Sequence, residues 1–467
     1  MRGFMQQCSS HIKHNKKSPH NFGVSKVREC ALLLLHSVFC GKSGDAPLAS
    51  LLAGESAKFA LSDVDSSLLS ELVYGVLRHA CILDGALTRF LPRPDSLSRM
   101  IRHLLRLGAY ELIFMPGIPP HASVNELTGL ARHFLGERSA GLVNAVLRKT
   151  AAEYRLIFDD IHEWLLSLGE SSSPIDIAHA GSIPLWLAQQ WVRQYGALHA
   201  VNMARSLTQA PAACWRINFF RPGAQAVLNQ MLSLGAAPCG SHGFCHEAIS
   251  DAAHDTGIDV WNQLVSFEKA GIISRQGTSS QLVAEAVANR LRSRCGLIEL
   301  WDCCCGRGGK TSALMEQGVH VALATDPSSR RVADLQMNFH RLGLPLPEIK
   351  TCRAQDVTGI FSAILLDAPC SGTGTLARNP EIKFRITKNW LDFAVDLQKD
   401  ILCHAWNNLS SDGQLFYVTC AYNADENELQ VDRFIKHHRD AVLESSQMFL
   451  PQIRGQDSLY LAILHKR

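Results

Sequence analysis

Beyond about residue 275 the chain alternates short apolar runs with helical stretches, and that alternation leaves one main architecture open. Strands separated by helix-length connections form a parallel sheet with helices on both faces. The strand candidates are Leu297–Trp301, His320–Ala324, Ser362–Leu366 and Gln414–Val418. Residues 25–152 behave differently and carry only the helical period. Apolar side chains recur three and four apart in Leu68, Leu72, Val73, Val76 and Leu77, and again in Ile101, Leu104, Leu105, Leu107 and Leu112. The pair Pro119-Pro120 breaks the pattern, and Ser123-Val124-Asn125-Glu126 reads as a capping box that opens another helix.

A chain of 467 residues holds about three domains at roughly 150 residues each. The expected layout is a disordered basic tail over 1–24, a helical bundle over 25–152, and a linker over 153–179 signalled by Ser171-Ser172-Ser173-Pro174. A small α+β subdomain follows over 180–272, with a helix at Trp186–Tyr195 and a strand at Trp215–Asn218; the α/β domain occupies 273–467. The tail carries Lys13, Lys16 and Lys17 without the apolar run of a secretory signal. The longest apolar run, Ala31–Leu35, is far too short to span a bilayer. The expected location is the cytoplasm.

The Gly-rich segment Asp302-Cys303-Cys304-Cys305-Gly306-Arg307-Gly308-Gly309-Lys310-Thr311 lies between a strand and a helix, where a doubly wound sheet meets its ligand. Its glycines allow close backbone approach, and the free amides of the turn can hold an anionic group. A phosphate-binding P-loop fails because Cys304 stands where that frame needs its first glycine, and the dinucleotide pattern G-x-G-x-x-G is absent. S-adenosylmethionine fits the segment best. Its candidate contacts are Cys304, Cys305, Gly306, Arg307, Gly308, Gly309, Lys310 and Asp367, with Asp326 ending the next strand near a ribose and Asp356 ending a third near an adenine amino group.

The fifteen cysteines lack the paired C-x-x-C spacing of a zinc site. Cys303, Cys304 and Cys305 are adjacent, so strand geometry would point neighbours to opposite faces; they read as small buried hydrophobes in a reducing compartment. The histidines are scattered and read as surface or satisfied core positions. No metal is expected. The net charge of +3 gives no strongly basic surface, so any nucleic-acid contact must come from local patches.

Asp367-Ala-Pro-Cys370-Ser-Gly-Thr-Gly374 and Tyr417-Val-Thr-Cys420, followed by Asp425-Glu-Asn-Glu428, supply an acid and two thiols near strand ends. With the Gly-rich turn, these segments resemble the motifs of RNA 5-methylcytosine methyltransferases. The bundle resembles the NusB-type RNA-binding domain of the RsmB (Sun/Fmu) branch in Glu71–Arg78, Leu107–Leu112, Ile118–His121 and Leu142–Arg148. The resemblance covers nearly the whole chain after residue 25 and is weakest between about 222 and 270. It implies a Rossmann-like methyltransferase domain, S-adenosylmethionine as cofactor, and small-subunit ribosomal RNA as partner, acted on by a monomer without a metal or a membrane.

Carried over by position, Cys420 matches the nucleophile that adds to carbon 6 of cytosine, and Asp367 the acid at ring nitrogen 3. Lys310 matches a residue that positions them, and Cys370 the thiol associated with product release. Arg378, Lys383 and Arg385 are candidates for RNA phosphate contacts, with a solvated charged face as the alternative. Asn144 and Arg148 read as structural positions or weak RNA contacts. Two departures stand out: Cys305-Gly306-Arg307 replaces the family's usual Ala-Ala-Pro, and Gly277 stands where an acid is usual. Other readings stay open: transfer to tRNA or another RNA, a DNA-type mechanism with Cys370 as nucleophile, or an RNA-binding assembly protein without catalysis.

Overall fold

The computed structural model describes residues 25–42, 44, 46–246, 260–294, 298–450 and 456–467. The expected tail over 1–24 lies outside them. Two compact units divide at Leu166/Ser167.

The first unit is helical: α1 (Lys26–Phe39), α2 (Leu48–Phe59), α3 (Asp63–Thr88), α4 (Arg99–Phe114), α5 (Pro120–Leu135) and α6 (Glu137–Ser167). Two glycines allow close packing around α4, Gly75 of α3 against α4 and Gly108 of α4 against α6. A Cβ on Gly75 would fall 1.9 Å from Tyr110 Cζ, and one on Gly108 would fall 2.6 Å from Leu147. The core carries one buried ionic network. Arg28 donates to Glu111 at 2.8 and 2.9 Å and to Glu126 at 2.8 Å, and Ser123 Oγ donates to Glu111 at 2.6 Å. That network corrects the capping-box reading: α5 already starts at Pro120, whose missing N–H suits a first helical position, so Ser123 lies inside the helix and serves the core.

The expected linker over 153–179 is mostly helix, because α6 runs on to Ser167 and α7 (Pro174–Gly181) starts at a capping box between Ser173 and Asp176. The serine cluster marks a helix start rather than an irregular connection. Next come α8 (Leu185–Tyr195), α9 (Ala197–Ser206), β1 (Ala213–Ile217), α10 (Ala224–Ser233), β2 (Ala237–Cys239), β3 (Gly243–His246), α11 (Val260–Lys269) and β4 (Ile273–Arg275). A four-stranded sheet in the order β2-β3-β1-β4 packs its apolar face on α10 and α11 through Trp215, Phe244, Met231 and Leu264. The subdomain therefore extends past 272, since β4 completes its sheet.

The second sheet has seven strands. In chain order they and their helices are α12 (Thr278–Arg292), β5 (Leu300–Asp302), α13 (Gly309–Met315), β6 (Val321–Thr325), α14 (Ser329–Leu342), β7 (Glu348–Lys350), β8 (Phe361–Asp367), α15 (Lys388–Asn407), β9 (Leu409–Thr419), α16 (Glu428–His437), β10 (Ala441–Phe449) and β11 (Leu459–Lys466). The order is β10-β11-β9-β8-β5-β6-β7. All pairs from β9 to β7 are parallel, and β11 runs antiparallel between β9 and β10. The central strands are buried on both faces, one covered by a cluster around Trp301, Leu402, Trp406 and Tyr417, the other by one around Val287, Leu314, Leu365 and Phe416. The order reverses between β5 and β8, which opens a crevice at their carboxyl ends. Among the described residues no helix is long and apolar enough to cross a membrane.

Candidate active site

The carboxyl ends of β5, β8 and β9 bring the two sequence motifs together. Asp367 closes β8, and the register pairs it with Val418, two residues before Cys420. Cys370 Sγ and Cys420 Sγ then lie 3.0 Å apart, and the Cys420 amide donates to Cys370 Sγ at 3.3 Å. Contact with Cys420, then burial and the nearby Glu426 carboxylate, push the Cys370 thiol well above its ordinary range. In that contact either thiol can donate to the other. Lys310, from the first turn of α13, donates to Asp367 Oδ2 at 2.6 Å. Burial works against its charge, but the Asp367 carboxylate outweighs it and raises the Lys310 pKa.

A second shell of buried groups fixes the Cys370 loop. Glu426 is fully buried and accepts from the Ser371 amide at 2.7 Å, Gln398 at 2.8 Å, Asn423 at 2.5 Å and the Ser371 hydroxyl. Gln398 also donates to the Pro369 carbonyl at 3.0 Å, and Tyr417 OH donates to Gln398 at 3.1 Å. Thr419 Oγ1 donates to Asn427 at 2.5 Å. Gly374 locks the two motifs directly: its amide donates to the Cys420 carbonyl at 2.9 Å, and its carbonyl accepts from the Ser458 amide at 2.8 Å. Sequence reasoning placed Glu426 and Asn427 in a motif but gave them no task, and it missed Gln398 and Asn423.

In the cofactor turn, Gly306 and Gly308 take φ values of +56° and +76°, which a side chain would strain. A Cβ on Gly306 or Gly309 would meet nothing within 4 Å, so the backbone there borders open space. Asp302 is 1 % exposed; its Oδ2 accepts from Thr311 at 2.7 Å while its Oδ1 has no partner. Burial raises the Asp302 pKa to about 7. An unpaired carboxylate oxygen beside an open glycine turn fits a ligand that brings an ammonium group, as S-adenosylmethionine does. Asp326, just past β6, is buried and takes the Ser328 amide at 2.8 Å. Asp356 does not end a strand: it closes a short 3-10 turn at Ala354–Asp356 and pairs with Arg353 at 3.0 Å.

Cys303 and Cys305 are buried, and burial holds the Cys303, Cys304 and Cys305 thiols far above their ordinary range. They lie in the turn after β5 rather than on a strand. Arg307 points away from the turn to Asp334 on α14 at 3.1 Å. Gly277 leaves room for Arg378, whose Nη2 would stand 2.5 Å from a Cβ there and pairs with Asp457 at 3.1 Å. Lys383 is 1 % exposed and donates to the Leu207 carbonyl at 3.5 Å, so it is not open to a phosphate. Arg385 is half-buried. The reducing-compartment reading also meets an exception: Cys214 and Cys245 face each other across β1 and β3 and are bonded as a disulfide.

Arg216, on β1, is the contact that sequence reasoning missed most completely. It is 3 % exposed and donates to Glu316 at 2.6 and 2.9 Å, to Gln276 at 2.5 Å, to Ser312 at 3.0 Å and to the Gly309 carbonyl at 3.1 Å. Four of the five bonds tie the small sheet to α13, at its first turn through Gly309 and Ser312 and just past its end through Glu316.

Comparison with known proteins agrees with this geometry. The model of the family described as 16S rRNA methyltransferase RsmB/F matches residues 298–464, and that of the NusB family matches residues 25–152. The chain is 30 % identical to the ribosomal RNA small subunit methyltransferase B of Vibrio cholerae, over 86 % of this chain and 90 % of that one. It is 29 % identical to the same-named protein of Erwinia tasmaniensis, over 88 % and 93 % of the two chains. The crystal structure of PH0851 shares the fold at a TM-score of 0.67 and 18 % identity, covering 94 % of this chain and 98 % of that one. A methyltransferase homologue from Pyrococcus horikoshii gives 0.51 at 20 % identity, covering 64 % and 100 %. With a helical NusB domain, a seven-stranded methyltransferase sheet and a relative matched nearly end to end, the chain belongs to the RsmB family of S-adenosylmethionine-dependent ribosomal RNA methyltransferases.

Proposed function

We propose that this enzyme methylates carbon 5 of a cytosine in small-subunit ribosomal RNA through a covalent adduct with Cys420. The observation that carries this reading is the 3.0 Å approach of Cys370 and Cys420 beside the Lys310–Asp367 pair. Two thiols and an acid–ammonium pair have a defined use on a pyrimidine ring. The Cys420 thiolate adds to carbon 6, and negative charge spreads toward ring nitrogen 3 and the carbonyl oxygen. Asp367 meets that edge of the ring, and Lys310 supplies the nearest positive charge. Carbon 5 then has enamine character. Bound S-adenosylmethionine supplies an electrophilic methyl group on a sulfonium.

After transfer, carbon 5 gives its proton to solvent, the C–H pair re-forms the carbon 5–carbon 6 double bond, and the carbon 6–sulfur bond breaks, returning its electron pair to Cys420. The Cys370 thiol, 3.0 Å from Cys420, is placed to donate to the departing sulfur. Arg216, Glu426 and Gly374 hold the pieces in place; the target base must leave its stack to reach them. Arg378 and Arg385 remain the basic candidates near the site for backbone contact.

The test is methyl transfer from labelled S-adenosylmethionine to unmodified small-subunit RNA. Wild type should label carbon 5 of cytosine, Cys420→Ala should label nothing, and Cys370→Ala should accumulate a protein–RNA adduct that survives denaturation. Label on an exocyclic amine or a ribose, or adduct formation that persists in Cys420→Ala, would overturn the reading.

A further inference from the structure

A second cluster of chemistry-bearing side chains lies in the helical unit. His36 and Cys40 stand four residues apart at the end of α1, on one face of the helix, and His103 lies in the second turn of α4. One ligand atom from each falls within 4.8 Å of the others. Cys40 Sγ is 3.8 Å from the His36 ring nitrogens. A tetrahedral ion with sulfur at about 2.3 Å and nitrogen at about 2.0 Å would set that separation at about 3.5 Å.

A hydrogen bond between Cys40 and His36 accounts for those two residues but not for His103. That imidazole is 3 % exposed, and neither of its ring nitrogens has a partner. A buried polar side chain in that state costs stability unless something fills its coordination. Its ring is held in place by Phe39, stacked at 4.9 Å and 10° from parallel, and Arg106 lies 4.4 Å over the Phe39 ring. Arg99, Arg102 and Arg106 surround the cluster with positive charge. The same cations oppose a dication, and a Cys40 thiolate, 3.7 Å from Arg99 Nη1, supplies the compensating charge. His36 and Cys40 are partly exposed, which gives an ion entry and leaves room for a water ligand.

We propose that His36, Cys40 and His103 form a zinc(II) site, completed by water, that clamps the end of α1 to the start of α4. Binding displaces the Cys40 thiol proton to solvent. The proposal runs against the expectation that the chain takes no metal, and His103, buried without a partner, departs from the expectation of satisfied histidines. It escapes motif reading because the third ligand lies far along the chain from the other two.

The experiment uses the full chain, stripped with chelator, equilibrated with zinc chloride alone and dialysed. Wild type and a Cys420→Ser control should retain about one zinc per chain, while His36→Ala and Cys40→Ser, both at partly exposed positions, should lose it. Zinc should raise the thermal midpoint of wild type and not of those two variants. Cobalt(II) in place of zinc should give wild type a thiolate-to-metal charge-transfer band, a readout that needs no variant to fold. No retained zinc, no such band, or equal retention by Cys40→Ser (which would assign the ion to other thiols) would overturn the proposal.

Discussion

Lys310 Nζ stands 2.6 Å from Asp367 Oδ2, which joins the helix that starts at the cofactor turn to the strand that carries the first cysteine motif. The pair is largely buried, with side chains 14 % and 30 % exposed, so the two charges interact with little screening. The ammonium sits directly on the acid that we propose meets the base. Lys310→Met should lower kcat for RNA methylation about 10²- to 10³-fold, in the range of a lost electrostatic donor. The KM for RNA should stay close to wild type. Single-turnover transfer checks this; a variant that loses only RNA affinity and keeps its kcat would remove Lys310 from the chemistry.

Glu426 organises the Cys370 loop from beneath. Its carboxylate takes four donors and has no solvent exposure, so neutralising it sets an amide N–H₂ against groups that already donate. Glu426→Gln should destabilise the catalytic domain by on the order of 3 kcal/mol, the scale for breaking a buried charged network. Denaturant titration measures it. A loss under about 0.5 kcal/mol, the range of an ordinary surface change, would mean the loop does not depend on this carboxylate.

These two residues show what was legible in the sequence and what was not. The thiols, Asp367 and the glycine turn stood in short motifs, and the structure brings them to one edge of the sheet. The alternating pattern announced the parallel sheet because its central strands are buried on both faces. Arg216 was invisible because its partner Glu316 is 100 residues away, and nothing local marks an arginine on a short strand as buried. Lys383 shows the reverse error: a lysine after a catalytic motif suggests a phosphate, yet the 3-10 turn at Pro380–Phe384 directs it into the protein. The helix start at Pro120 overrode the Ser123 cap signal because two prolines fix the backbone before the serine is reached.

Gly374 is the tightest point between the motifs. A Cβ there would lie 2.3 Å from the Ser458 carbonyl oxygen and 2.9 Å from that of Cys420, both backbone atoms that cannot swing aside. Gly374→Ala must therefore push β9 and β11 away from the Cys370 loop and widen the 3.0 Å thiol pair. Methyl transfer should fall at least about 10²-fold, the cost of roughly a 1 Å misplacement, while cofactor binding at the β5 turn persists. Calorimetric titration with S-adenosylmethionine beside the activity assay separates the two. Wild-type activity in Gly374→Ala would show that the thiol spacing tolerates such a shift.

Asp302 gives the enzyme a pH dependence of definite sign. Its carboxyl ordinarily titrates near 3.8, and burial lifts it to about 7 in the folded protein. Between those values the folded state binds the proton that the unfolded state has released, so this group's contribution to stability is greatest below about 4 and is lost as pH rises to about 7. The slope it can add is at most about 1.4 kcal/mol per pH unit. Asp302→Asn keeps an acceptor for the Thr311 hydroxyl and has no proton to lose. Thermal midpoints followed from pH 4.5 to 8 should fall more steeply in wild type than in Asp302→Asn, with the variant the more stable of the two above pH 7. S-adenosylmethionine should oppose that fall in wild type, since an ammonium beside Asp302 Oδ1 favours the ionised acid, and its binding near pH 6 should release a proton that buffers of different ionisation enthalpy reveal by calorimetry. Parallel pH profiles for the two proteins would mean that Asp302 is ionised across the whole range and that its free oxygen is satisfied by solvent.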